Sequence, residues 1–239
     1  MKKEIDFPSG WGQDRITAFL DAARQNELAT FANTPEYGRI RDIESELFLL
    51  IDNLHNAKPF HVGLFVLKAH SSLLAAIHIA MSGHVAETYP LLRASIEAAL
   101  YGLFVSYDDA RMETWLRRDE SPAALEAVRK MFLIGQVRAE LEDRDPLLGK
   151  IAKDLYDRCI ALGAHPNVKM LTNIDIIEDA SSVTWQLKYL HDVGEQLRLV
   201  MRTTAQTGLL VLEIACVLYP QRAAILGIPD KLVRLRKKM

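Results

Sequence analysis

Apolar residues crowd most densely between residues 60 and 106, in two consecutive runs joined at Ser82-Gly83. The first reads FHVGLFVLKAHSSLLAAIHIAMS and the second HVAETYPLLRASIEAALYGLFVS. Apolar side chains encircle both almost completely, a pattern of helices buried inside a protein rather than laid on its surface. At 1.5 Å per residue each run spans roughly 33–35 Å. They are read as the two central buried helices of an all-α, antiparallel helical bundle.

The flanking pattern is helical as well. Ile16, Phe19, Leu20, Ala23 and Leu28 give residues 11–32 a modest apolar face. Thr34-Pro35 is a cap-plus-proline start for a helix in which Ile40, Ile43, Leu47, Leu50, Ile51 and Leu54 recur every three or four residues. Lys58-Pro59 ends it. Pro90 either kinks the second central helix or marks its true start. Asp108 caps a short helix carrying Met112, Trp115 and Leu116; Ser121-Pro122 opens one to about Asp143, and Asp145-Pro146 opens another through Leu162. Gly163 is placed as the C-terminal cap of that last helix, with Pro166 preventing continuation. Alternation of Ile174 and Ile176, then Val183, Trp185, Leu187 and Tyr189, suggests a small β-hairpin within 173–189. A final long helix covers 190–218. The expected organisation is one domain over 1–239: N-terminal helices at 11–58, the bundle core at 59–219 and a C-terminal tail at 220–239.

Polar residues within the central pair also fall into register. At 100° per residue, Lys68, Ser71, Ser72, Ala75, His78 and Ser82 share a stripe on the first helix, and Glu87, Arg93, Glu97 and Tyr101 one on the second. Buried charges must pair or reach water, which Lys68 with Glu97, or Arg93 with Glu97 at i,i+4, would achieve. The stripe reads either as a polar pocket of Lys68, His78, Arg93, Glu97 and Tyr101, or as a structural ion pair fixing helix register. His70 lies off it and reads as a hydrogen-bonded core histidine. Opposite the second stripe, Thr88, Ser95, Ala99, Gly102 and Ser106 form a small-residue seam that lets another helix come close.

Composition narrows the class. The chain has 239 residues, 49% hydrophobic and 25% charged, with a formal net charge of −2, so no global pull toward nucleic acid or membrane is expected. Cys159 and Cys216 lack metal-ligand spacing and read as reduced thiols of a cytoplasmic protein. The N-terminus has no apolar stretch behind its two lysines. Lys68, Arg93, Glu97, Arg202 and Glu213 interrupt the longest apolar runs, which argues against a membrane span. No cofactor is indicated. Asp52-x-x-His55 has no partner motif for a di-metal carboxylate site, and no phosphate loop, Gly-x-Ser-x-Gly elbow or Cys-x-x-Cys pair occurs.

One stretch has a more specific shape: YDRCIALGAHPN, residues 156–167, in which Arg158 and His165 stand six residues apart near a helix end. With the HVAETYPLLRASIEAALYGLFV run upstream, this resembles the Arg-x(4–6)-His motif of the HEPN superfamily, helical bundles that include many metal-independent RNases. The resemblance spans roughly residues 65–215. It implies His165 as general base or acid at a ribose hydroxyl and Arg158 as the phosphate-holding group. Tyr156 and Asn167 would be supporting residues, and a homodimer the acting unit. From the residues alone, Arg158 equally serves as a counter-charge to helix C-terminal carbonyls, with His165-Pro166 shaping a turn. Cys159 replaces the polar residue that usually follows the family's arginine. The tail KLVRLRKKM carries five cations in nine residues and reads as a phosphate-contacting or solvated end. Two functions stand: RNA cleavage or RNA binding through Arg158 and His165, or a non-catalytic scaffold or small-molecule-binding bundle.

Overall fold

The computed structural model describes residues 7–164, 174–178 and 183–237, and several of its helices start at a side-chain cap. Asp14 accepts from the N–H groups of Ile16 and Thr17 at 2.8 and 3.0 Å, opening α1 (Arg15–Asn33). Pro35 sits in the first turn of α2 (Pro35–Asp52). Thr34 lies at the expected cap position, but its hydroxyl donates back to the Thr30 carbonyl and ties the corner between the two helices.

The central runs become α3 (Phe60–Met81) and α4 (Val85–Ser106), the most extensively paired helices among the described residues. The small-residue seam of α4 is buried: Thr88, Ser95 and Ala99 are at most 2% exposed. Ser95 donates to the Ala69 carbonyl of α3 at 2.8 Å. A methyl at Gly102 would meet the Phe65 Cβ at 2.9 Å, so only a residue without a side chain permits this approach. Pro90 lies well inside α4 and is not its start.

The expected helix from 121 to 143 is two helices. After α5 (Asp109–Leu116), α6 (Pro122–Met131) and α7 (Ile134–Arg144) are separated at Phe132-Leu133. The break lets Phe132 turn inward, its ring 5.5, 5.3 and 4.9 Å from those of Tyr101, Phe104 and Trp115. Its carbonyl accepts from the Tyr101 hydroxyl at 3.1 Å. Aromatic packing and one buried hydrogen bond offset the lost helical turn.

Then follow α8 (Pro146–Cys159), a short π-helical turn at Ile160–Ala164, strands β1 (Ile174–Glu178) and β2 (Val183–Leu187) paired antiparallel with Ile176 opposite Trp185, and α9 (Glu195–Leu218). The end of the chain is not a solvated tail. Residues 220–236 fold as α10 (Pro220–Ile225) and α11 (Ile228–Arg236), burying Ile228, Leu232 and Leu235. Two ion pairs fasten α11, Lys231 to Glu46 at 2.8 Å and Arg236 to Glu213 at 2.5 Å. Lys231, Arg234 and Arg236, three of the cations that suggested a solvated end, thus belong to an amphipathic helix.

Buried apolar residues from Ile40 to Leu235 make one continuous cluster. Its axis is α9, which packs against α2, α3 and α4. Both α3 and α9 are long and apolar enough in composition to cross a membrane; most of α9 is buried by its neighbours, whereas less than half of α3 is. The expectation that α3 is enclosed on all sides therefore fails: α4 and α9 cover one side of it, and Phe60, Leu64, Leu67 and Leu74 remain exposed on the other.

Candidate functional site in a cleft between three helices

Asp145 opens α8 by accepting from the Leu148 N–H at 3.0 Å, with Pro146 in the first turn. At its far end, Gly163 does not act as a left-handed cap. Its φ is 167°, extended backbone, and the reason for glycine is contact: an added Cβ would lie 2.2 Å from the Ala86 carbonyl oxygen. Pro90 cannot supply that carbonyl with its usual helical donor. The proline of α4 and the glycine after α8 therefore belong to one crossing.

Successive residues turn by 100° along α8, so Tyr156 and Arg158 face different neighbours. Tyr156, 2% exposed, donates to Glu97 Oε1 at 2.8 Å, and the same oxygen accepts from Arg93 Nε at 2.9 Å. The Arg93 and Arg138 guanidinium carbons lie 5.3 and 4.7 Å from the Tyr156 ring centroid. Burial, followed by the carboxylate of Glu97, pushes the Tyr156 hydroxyl up to about 12. This network joins α4 to α8 and is structural.

Arg158 turns the other way, onto α9. Its guanidinium donates to Gln206 Oε1 at 2.7 Å and to Thr203 Oγ1 at 3.4 Å. Thr203 also bonds Tyr89, whose hydroxyl burial pushes up to about 12. Arg158 thereby lines a cavity of about 740 Å³ between α8, α9 and α11. Leu148, Leu155, Leu209, Leu210 and Leu232 form much of the wall, and Glu213 with Arg236 closes another part. Of the other charged residues along the cavity, Asp145 caps α8 and Glu213 pairs with Arg236, while Asp154 is solvent-exposed. Among the described residues Arg158 has only neutral hydrogen-bond partners.

The sequence-predicted residues separate. Arg158 lines the cavity, Tyr156 faces away from it, and His165 and Asn167 lie outside the described residues. The polar stripe of the central pair divides among several places. Lys68 is exposed on the outer side of α3, His78 reaches Glu27 of α1 at 3.0 Å, Arg93 and Glu97 pair with one another, and Tyr101 joins the aromatic cluster. They line no common pocket because the polar side of α3 faces outward, away from α4. His70 is buried, 3.1 Å from Glu44. Both cysteines are free thiols; burial raises each to about 12, for Cys216 with help from Glu213, which disfavours a thiolate nucleophile.

Sequence reasoning assigned no site role to Thr203, Gln206 or Glu213. Their signal was present: three polar residues at heptad-like spacing on a helix otherwise rich in Leu, Val and Ala. The fold and site define an all-α helical bundle with a largely apolar cleft lined by Arg158 and by the paired Glu213 and Arg236. The chain matches no protein-family model, no curated protein and no solved structure.

Proposed function

We infer that this protein binds a small amphipathic acid, a molecule with an apolar body and a carboxylate or similar anionic head, in the cleft between α8, α9 and α11. The observation that carries the reading is the cavity of about 740 Å³, apolar along most of its wall, with Arg158 in its lining held by Gln206 and Thr203. Ligand sites of roughly 300–1,000 Å³ commonly combine apolar walls with a few fixed polar groups. A planar guanidinium suits two-point recognition of a carboxylate. The volume favours a small molecule over a peptide helix, since ten helical residues already occupy a cylinder about 15 Å long and 10 Å across.

The resemblance to metal-independent RNases gives Arg158 a phosphate to hold instead. Leucines rather than stacking aromatics along the cavity wall favour an aliphatic ligand over a nucleotide. Displacement of a fluorescent fatty acid by dodecanoate, compared in wild type and Arg158→Gln, tests the proposal. Dodecanoate affinity falls roughly tenfold or more with loss of the charge-assisted contact, while dodecanol, lacking the anion, binds both proteins alike. Absence of displacement in wild type refutes the reading, as does RNA cleavage in EDTA that disappears with Arg158→Gln.

A further inference from the structure

The outer side of α3 is left largely uncovered by the described residues, with α1 reaching it at His78 through Glu27 and α2 bordering it at His70. Phe60, Leu64, Leu67 and Leu74 are 70%, 49%, 47% and 43% exposed. With Ser71 and His78 they recur in alternating steps of four and three residues, the heptad spacing of a seam that packs against another helix. Phe48 of α2, also exposed, flanks this strip with its ring 6.4 Å from that of His70. Contiguous exposed apolar surface of this kind marks an interaction site.

We propose that the outer face of α3 is a self-association surface, on which two copies of the chain pack α3 against α3, antiparallel, about a two-fold axis near Ser71. The strip is self-complementary about that residue. Ser71 lies at the middle of Phe60–Met81, and its small side chain lets the helices cross closely. The antiparallel register then sets Leu67 of one copy against Ala75 of the other, Leu64 against His78, and Lys68 along Leu74, so large residues face small or flexible ones. Such a contact is isologous and closes at two copies.

Charge and area fit the same occupant. On α3 itself the face carries one lysine and no carboxylate, and Glu27 of α1 at its edge is engaged by His78. Two copies therefore meet without opposing rows of like charge, and the aliphatic stem of Lys68 can cover Leu74. A single lysine gives an anionic membrane surface little electrostatic hold. The exposed parts of Phe48, Phe60 and the three leucines amount to roughly 450 Å² of apolar surface per copy. With the polar residues between them, two copies bury about 1,200 Å², the lower end for a specific interface.

The test uses the full chain. Sedimentation velocity over a concentration series resolves a reversible dimer with a dissociation constant of roughly micromolar order. Leu67→Glu with Leu74→Glu, both at exposed positions, weakens it at least tenfold while far-UV circular dichroism stays unchanged. Ser71→Cys, nearest the axis, forms an intermolecular disulfide on mild oxidation faster than Lys130→Cys, which is exposed on α6 away from the face. A monomer at every concentration overturns the proposal, as does a dimer unaffected by the double substitution or equal cross-linking of the two cysteine variants. Binding of a monomeric wild type to phosphatidylglycerol vesicles, lost in the double variant, also overturns it and gives the face to a membrane.

Discussion

The Tyr156–Glu97 contact offers a sharp test of how α8 is fixed to the bundle. Tyr156→Phe removes one hydroxyl and keeps the ring on which Arg93 and Arg138 stack. What is lost is a 2.8 Å hydrogen bond to a carboxylate, worth about 1.5–3 kcal/mol where it is shielded from water. Glu97→Ala costs more, about 3–4 kcal/mol, because it leaves the Tyr156 hydroxyl buried without its acceptor and takes the carboxylate from Arg93. In the Glu97→Ala background the hydroxyl no longer has its carboxylate acceptor to lose. The double variant should therefore be more stable than the sum of the singles by about 1.5–3 kcal/mol. Urea denaturation followed by circular dichroism measures each corner of the cycle. With a slope of about 3 kcal/mol/M, Tyr156→Phe moves the midpoint down by roughly 0.5–1 M. Strictly additive effects would refute the assignment of this contact as the coupling between α4 and α8.

Two further outcomes follow from neighbouring geometry. Gly163→Ala forces a methyl to within 2.2 Å of the Ala86 carbonyl oxygen, so α4 and the turn must part; destabilisation of about 2–3 kcal/mol in the same assay is expected, and an unchanged midpoint contradicts the crossing. Burial pushes the hydroxyls of Tyr89 and Tyr156 up to about 12, above the ordinary tyrosine value of 10.0. Because the folded-state value is the higher one, the stability they contribute is complete below pH 10 and is lost as pH rises from 10 toward 12. Tyrosinate absorbance should then rise together with unfolding, and two residues titrating fully near pH 10 in folded protein would contradict their burial.

The helical framework was legible wherever a cap and a proline adjoined a periodic run. Asp108, Ser121 and Asp145 each accept a hydrogen bond from the first turn they were expected to open. Tertiary choices were not legible locally. The split at Phe132 depends on three distant rings, and the order of the C-terminal residues depends on partners as remote as Glu46. Lys68 and His78 read as polar residues of a buried helix because apolar residues lie on both sides of α3; periodicity cannot tell a second buried face from an unpartnered one. For the site, Arg158 stood out through a motif, whereas the Thr203, Gln206 and Glu213 spacing on α9 acquires meaning only once α8 and α11 lie across it.

The most direct measurement on the central claim is a crystal structure of the protein soaked with dodecanoate. The account predicts the chain lying along Leu155, Leu209 and Leu210, with its carboxylate within hydrogen-bond distance of Arg158. A cleft that holds only water, or a ligand seated elsewhere with Arg158 untouched, would contradict it.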